Sequence, residues 1–219
     1  MRIFDISWIL DAGMLVYPKD PGFAREKRNA ISEDGYAMEV FTLGAHVGTH
    51  LDAPAHVLPG GKTLDQFPLE QMNGPARVLD ARNAGNSIGA DFLSHNLPGE
   101  DLQTVERLLL RTSNGRLLAD KFDADYASLS LDGAEFLRDK THVRLVGIDY
   151  LSIENGTDLS FPVHRALLNH GILILEGLNF ETEPEAVAAG DYDLLCAPLR
   201  IRNSDGAPCR AALRELVVR

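Results

Sequence analysis

The sequence is poor in the features that mark exported and membrane-spanning proteins. Its 219 residues include only two cysteines, Cys196 and Cys209, so we expect reduced thiols rather than a disulfide framework. The longest apolar run, around residues 172–175, is far shorter than the roughly 18 residues that a membrane helix needs. Near its start the chain carries Asp5 where a signal peptide would continue its apolar stretch. We therefore expect a cytoplasmic protein without a membrane span.

Basic residues are scarce as well. Lys and Arg number 21 against 32 Asp and Glu, which gives a formal net charge of −11. Most of such a surface repels phosphate backbones and anionic lipids. We therefore expect neither a nucleic acid nor a membrane as a partner. With 45% hydrophobic and 24% charged residues, the chain has the composition of a folded globular protein.

Short apolar runs rich in Val, Ile and Leu recur between Gly, Pro and Asn, and this pattern predicts strands. The predicted strands cover residues 2–7, 36–43, 76–80, 107–112, 143–149, 172–176 and 192–201. The predicted helices are few and cover residues 132–139 and 162–169, while residues 83–94 and 181–191 are typical of loops or short helices. Asp132 is placed to cap the first helix, and Cys209 suits a closing strand. Because no linker divides the chain, we expect one α/β domain over residues 1–219, with a mixed β-sheet core and outer helices.

Residues 45–56 carry an unusual density of coordinating side chains, namely His46, His50, Asp52 and His56. Imidazole and carboxylate are ligands that borderline divalent metals accept without thiolate. In an extended segment these even-numbered positions would share one face, and the Pro and Gly in the segment exclude a helix. The alternative is a polar surface loop whose histidines bind backbone groups. Four coordinating groups in such close order serve no packing purpose, so a metal site is favoured.

The string His-x-Gly-Thr-His-x-Asp-x-Pro-x-His within this segment resembles the signature of the cyclase family of metal-dependent hydrolases, which includes bacterial kynurenine formamidase and isatin hydrolase. The resemblance fades over residues 91–106. It continues at residues 59–61, 67–70, 74–80, 109–112, 146–149, 164, 175–176 and 191–193. It implies a swivelling β/β/α-like fold and a homodimer or larger homo-oligomer.

The resemblance also implies a set of metal ligands. His46, His50 and Asp52 would bind a first metal, and Asp52 would bridge to a second. His164 would bind the second metal, and Glu176 would be shared between the two. Independently, Glu176 ends the most hydrophobic run of the chain, where a buried carboxylate is costly without a cation. The alternative is that Glu176 leaves the sheet into water. His164 lies in the first turn of a predicted helix that leads to the Glu176 strand.

Two further residues receive roles from the resemblance. His56 matches the catalytic acid/base of the family and would be free of the metal. Tyr17 stands where kynurenine formamidase has Trp, and its smaller ring still offers the substrate a stacking face. Residues 150–155 depart from the formamidase pattern, which leaves the lining of the pocket open.

A metal-dependent hydrolase is the predicted function. One or two divalent ions, zinc first and manganese second, would lower the pKa of bound water and so promote hydrolysis. The expected substrate is a small amide, formamide or cyclic amide whose C–N bond is cleaved, most specifically N-formylkynurenine. Opening of an isatin-type lactam is the runner-up, and a non-catalytic metal- or ligand-binding homo-oligomer is the alternative of another class. A serine hydrolase is discarded because the chain has no Gly-x-Ser-x-Gly elbow.

Overall fold

The computed structural model describes residues 1–116, 122–155, 160–182 and 184–216. Its strands are β1 (Ile3–Asp5), β2 (Ala24–Asn29), β3 (Met38–Thr42), β4 (His50–Asp52), β5 (Gly74–Asp80), β6 (Ser87–Ile88), β7 (Arg107–Arg111), β8 (Ser128–Leu129), β9 (Leu145–Ile148), β10 (Leu173–Glu176), β11 (Gly190–Pro198) and β12 (Gly206–Glu215). Its α-helices are α1 (Ile31–Asp34), α2 (Leu69–Met72), α3 (Ala90–Asn96), α4 (Asp101–Thr104), α5 (Leu131–Lys140) and α6 (Pro162–Leu168). Short 3₁₀ turns cover Pro54–His56, Leu64–Gln66 and Ser113–Arg116.

Most strands form one mixed sheet in the order β1-β12-β11-β5-β7-β9-β10-β4. β4 pairs with β10 on one side and with the start of β12 on the other, so the sheet closes on itself. β5, β7, β9 and β10 run parallel to one another, and parallel neighbours require crossover segments. The crossover from β7 to β9 contains α5, and the crossover from β9 to β10 contains α6. The fold is thus a mixed β-sheet core with outer helices, as predicted.

The alternation of side chains along the strands gives the closed sheet two apolar faces. In β7, Leu109 belongs to the core inside the sheet, whereas Leu108 and Leu110 pack in a second core under the helices. The same alternation in β10 directs Ile174 to the helix side. Burying each such side chain contributes about 1.5–3 kcal/mol, so the helix layer is firmly held against this face. The candidate site lies at the edge of this layer.

The helix predicted over residues 132–139 is α5, but its cap differs from the prediction. Ser130 is the N-cap residue, and its Oγ accepts the Gly133 N–H. The Asp132 carboxylate instead accepts the Ala90 N–H at 2.9 Å and so ties the start of α3 to α5. The prediction that Asp132 caps α5 is therefore wrong, because its side chain serves the neighbouring helix.

The predicted strands are present with shifted ends. Several short elements were not predicted, namely β2, β4, β6, β8, α1, α2 and α4. β2 pairs with β3 in an exposed ribbon outside the closed sheet. β4 is only three residues long, and β12 extends over ten residues that include Cys209, as expected of a closing strand. Cys196 and Cys209 are free thiols. In the part of the chain that the structure describes, no helix is long and apolar enough to cross a bilayer.

Candidate metal centre

Two antiparallel strands place the first members of the site. His50 of β4 lies directly opposite Glu176 of β10, and Asp52 lies two residues further along β4. Because Leu51 packs inside the closed sheet, its neighbours His50 and Asp52 face the helix side. His50 Nε2 is 3.3 Å from Glu176 Oε2 and 3.5 Å from Asp52 Oδ1. The expectation of one shared face is thus confirmed for the two β4 residues.

The turn before β4 brings His46 onto the same carboxylate. His46 Nδ1 lies 2.7 Å from Asp52 Oδ1, and His46 Nε2 lies 3.3 Å from Asp205 Oδ2. Gly206 makes room for the ring, because a Cβ at this position would be 2.7 Å from both His46 Cε1 and Leu51 O. The start of β12 therefore needs glycine where it passes the His46 ring.

Helix α6 delivers the third imidazole. His164 Nε2 lies 3.3 Å from Glu176 Oε1 and 3.6 Å from Asp52 Oδ2. On its other side, His164 Nδ1 lies 2.7 Å from Glu154 Oε2, and Glu154 also accepts the backbone N–H groups of Val163 and His164. These N–H groups belong to the first turn of α6, which has no intrahelical acceptors for them. One buried carboxylate thus anchors the helix and orients its histidine.

The three histidines share one arrangement. Carbonyls and carboxylates only accept hydrogen bonds, so Gly48 O and Glu154 place a ring proton on Nδ1 of His50 and of His164. His46 lies between two carboxylates: its Nε2–H donates to Asp205, and in the metal-free protein its Nδ1–H donates to Asp52. The other nitrogen of each ring is then left facing the carboxylates of the centre. Metal-ligating histidines are typically held in this way.

Two buried atoms of the centre lack partners. Among the described residues, His50 Nε2 and Asp52 Oδ2 are fully buried and make no hydrogen bond. His50 Nε2 lies close to two carboxylates, but neither contact has the geometry of a hydrogen bond. Leaving such groups unpaired costs free energy. A cation between the rings and the carboxylates would satisfy both atoms. The donor atoms of His46, His50 and Asp52 lie within 4.8 Å of one another, as do those of Asp52, His56 and His164.

His56 stands at the open side of the centre. It ends the 3₁₀ turn Pro54–His56, whose first position suits Pro. The rest of the segment, residues 45–53, contains no helix, as expected. The His56 ring lies 4.0 Å from that of His46 and 5.9 Å from that of His164, measured between centroids. Its Nδ1 is 3.8 Å from Asp205 Oδ2, which is beyond hydrogen-bond distance.

The charges of the centre shift its pKa values in opposite directions. Burial opposes the charged form of His46, but the hydrogen bond and charge of Asp52 outweigh it and raise the pKa of His46 to about 9. Burial is likewise outweighed at His164, where Glu154 and Glu176 raise the pKa to about 10. For His56, burial lowers the pKa, and the neighbouring imidazoles act in the same direction. The interior of the centre therefore attracts positive charge, while His56 stays neutral more readily.

A pocket of about 260 Å³ opens onto these side chains. Tyr17 lines it, and the Tyr17 ring is held edge-to-face by Phe122 at 5.3 Å between centroids. Leu151 and Ser152, from the segment that departs from the formamidase pattern, also line the pocket. An adjoining open cleft of about 620 Å³ shares His56 with it and leads to solvent. A larger apolar pocket than the first, about 460 Å³ in volume, lies away from the centre between Leu64 and Leu199, so size alone does not identify the site.

The structure brings all the predicted site residues together. These are His46, His50, Asp52, His56, His164 and Glu176 at the centre and Tyr17 at its pocket. Glu176 is 3% exposed, so the alternative in which it leaves the sheet into water is wrong. Sequence reasoning missed Glu154 and Asp205. Glu154 precedes α6 by several residues, and Asp205 sits in an Asn-Ser-Asp-Gly stretch typical of any turn, so neither carried a local signal.

Comparisons with known proteins agree with this geometry. The sequence model of the Cyclase family, described as "Putative cyclase", matches residues 4–155. A kynurenine formamidase of Bacillus cereus is 36% identical over 214 residues, which cover 97% of this chain and 97% of that protein. A solved structure named as a predicted metal-dependent hydrolase from Bacillus stearothermophilus is similar with a TM-score of 0.81 at 30% identity, covering 97% of each chain.

A more distant structure shares the fold. Isatin hydrolase A from Ralstonia solanacearum is similar with a TM-score of 0.78 at 22% identity, covering 98% of this chain and 92% of that one. The family model covers well over half of the chain, and the formamidase matches almost its whole length. This chain therefore belongs to the cyclase family, whose signature its histidine segment carries.

Proposed function

We propose that this protein is a metal-dependent hydrolase that cleaves the C–N bond of a small formamide and that N-formylkynurenine is its preferred substrate. The observation that carries the proposal is the centre itself: buried imidazoles and carboxylates converge, and His50 Nε2 and Asp52 Oδ2 are left without partners. The similarity to a kynurenine formamidase over nearly the whole chain supports the choice of a formamide.

The donor set suits a divalent cation. Imidazole nitrogens and carboxylate oxygens without thiolate favour zinc, and manganese accepts the same set as the second choice. His46, His50 and Asp52 would hold one ion. Asp52, His164 and Glu176 would hold a second ion. When bound, the metal supplies a Lewis acid that polarises a carbonyl and lowers the pKa of a coordinated water from about 15.7 toward 7.

The residues around the centre supply the remaining steps. His56 is placed at the pocket side of the carboxylates and its pKa is lowered by burial, so it is available as a neutral base near neutral pH. It would take a proton from the attacking water and deliver it to the nitrogen that leaves. The Tyr17 ring, fixed by Phe122, would stack against the aromatic part of the substrate.

We also propose that residues 1–219 act as one catalytic domain, in the cytoplasm, as a homodimer or larger homo-oligomer. Two free thiols suit a reducing compartment. The β2–β3 ribbon exposes Met38, Val40 and Phe41, and an isolated two-stranded ribbon is marginally stable in water. A second copy that covers the ribbon would stabilise it. Light scattering on purified protein should therefore give a mass of at least twice that of the chain.

Metal analysis combined with a substrate panel tests the function. Purified protein should carry about one or two zinc or manganese ions per chain and hydrolyse N-formylkynurenine, and a chelator should abolish turnover until metal is restored. Preferential opening of isatin would instead identify a lactam hydrolase. Metal binding without turnover of any amide would identify a non-catalytic protein, and a metal-free preparation indifferent to chelators would contradict the proposal.

A further inference from the structure

The turn that carries Tyr17 into the pocket has an unusual residue at its tip. Asp20 N–H donates to Tyr17 O at 3.0 Å, which closes a four-residue turn with Pro18 second and Lys19 third. Lys19 has φ = 79°. Proline followed by a left-handed residue is the pattern of a type II turn, in which glycine is the favoured third residue. A lysine at this position strains the backbone.

Strain of this kind is concentrated at the pocket. Among the described residues, the non-glycine residues with positive φ are Lys19, Phe161 and Asn203. Asparagine tolerates this conformation. Lys19 and Phe161, which do not, both line the 260 Å³ pocket. Strained residues persist where the surrounding structure uses them, and they cluster at ligand sites.

The charged groups of Lys19 and its neighbour Asp20 are also unpaired in the described structure. Both residues line the pocket and are exposed. Within the described ranges, neither side chain forms an ion pair or hydrogen bond, and the two do not pair with each other. Lys19 is thus an unneutralised cation at the mouth of a site in a protein of net charge −11, where an anionic substrate would otherwise be repelled.

We propose that Lys19 and Asp20 bind a zwitterionic amino-acid head group of the substrate, with the Lys19 ammonium on the carboxylate and the Asp20 carboxylate on the α-ammonium. The inference rests on the proposed formamide hydrolysis and deepens it by naming the residues that would recognise the charged head group of the substrate. Adjacent side chains of opposite charge that stay unpaired fit a ligand that carries both charges. Replacing Lys19 or Asp20 by a neutral residue would leave the catalytic centre intact but remove the preference for a zwitterionic substrate.

Substrate pairs isolate each contact. N-formylkynurenine is compared with its carboxamide, which lacks the negative charge, and with its deamino analogue, which lacks the positive charge. Lys19→Gln should lower the ratio of kcat/KM for the acid over the carboxamide about tenfold, mainly through KM. Asp20→Asn should lower the ratio for the amino compound over the deamino analogue to a similar extent. High salt should raise the wild-type KM for the acid and affect Lys19→Gln less.

Lys19→Gly separates binding from folding. It removes the ammonium and also relieves the strained backbone, so its melting temperature should equal that of the wild type or exceed it by about 2–4 °C while the acid preference is lost. Lys140→Gln serves as the matched control, because Lys140 is an exposed lysine at the end of α5 and its loss changes the net charge equally. The control should keep the wild-type selectivity.

The outcomes distinguish this inference from the proposed function. Selectivity that is unchanged in Lys19→Gln, or lowered equally in Lys140→Gln, would overturn the inference while leaving the hydrolase intact. A lower melting temperature of Lys19→Gly would show that the lysine serves stability and would also overturn it. Failure of the wild type to hydrolyse any of the three compounds would instead refute the proposed function on which the inference rests.

Discussion

Asp205 contacts His46 from outside the centre and lies close to His56. Its carboxylate accepts the Nε2–H of His46 and so holds the ring with Nδ1 toward Asp52. Groups that orient a ligating histidine typically contribute 10- to 100-fold to metal affinity. Because Asp205 is half exposed, we expect Asp205→Ala to weaken zinc binding about 10-fold, measured by competition with a chromophoric chelator.

A matched pair of variants checks this effect of Asp205. Asp205→Asn keeps an acceptor oxygen and should retain most of the affinity. Asp11→Ala removes one exposed carboxylate elsewhere and should leave zinc binding as in the wild type. An equal loss of affinity in Asp11→Ala would attribute the effect to net charge rather than to the orientation of His46.

His56 lies close enough to Asp52 and His164 to be a ligand itself, so its role needs a separate test. If His56 moves protons, His56→Ala should lower kcat about 10²–10⁴-fold and leave the metal content unchanged. The two quantities are measured on the same preparation by turnover and elemental analysis. Loss of a metal ion together with activity would make His56 a ligand and rule out its acid/base role.

At the scale of residues, the sequence was informative where ligands are close together. His46, His50, Asp52 and His56 form a dense motif, and a resemblance to a family assigned the distant ligands. The groups that orient the histidines could not be predicted from the sequence. Glu154 and Asp205 act through tertiary contacts across ten and 159 positions, and isolated acidic residues occur at many solvated positions of any chain.

Helix α6 is an element that depends on one side chain. Glu154 accepts N–H groups of Val163 and His164 and is 4% exposed. Glu154→Gln keeps the size but replaces one acceptor oxygen by a donor, which then faces these N–H groups. We expect a loss of about 1–3 kcal/mol in the free energy of unfolding of the metal-free protein, measured by urea denaturation.

Hydrogen exchange locates the effect of the Glu154 variant. The amides of the first turn of α6 should lose protection, whereas those of α5, which is capped by Ser130, should not. Uniform loss of protection in both helices would contradict a local anchoring role. Zinc affinity should also fall, because His164 would no longer be held in one orientation.

At the scale of elements, local sequence patterns predicted where strands and helices lie better than where they begin and end. Apolar runs identified strands such as β7 and β10, whose every residue is buried. The strands that were missed carry other patterns. β2 is almost entirely polar and exposed, and β4 is too short to show alternation. β4 is fixed as a strand by its pairing with β10 and β12, which only the closed sheet provides.

In the molecule as a whole, the protonation of the histidines, metal binding and stability depend on one another. In the metal-free protein, His46 and His164 have pKa values of about 9 and about 10, above the ordinary value of 6.5. Raised histidine pKa values contribute stability that is fully present below pH 6.5 and lost as the pH rises through 9 to 10. Burial raises the pKa of Asp149 from 3.8 to about 6, so its ionisation lowers the stability between these two pH values. This change is complete before the pH reaches 6.5. Thermal midpoints in the presence of a chelator should therefore fall between pH 6.5 and 10.

Zinc should reverse this dependence. A metal must displace the protons of His46 and His164, so its apparent affinity should rise with pH by about one decade per pH unit for each proton released. The rise should end at about pH 9 for His46 and at about pH 10 for His164. The midpoints of zinc-saturated protein should then rise, or stay level, over the range in which those of the chelated protein fall. If both series fall in parallel, the protons and the metal do not compete for the same nitrogens, and the imidazoles of the centre are not the ligands.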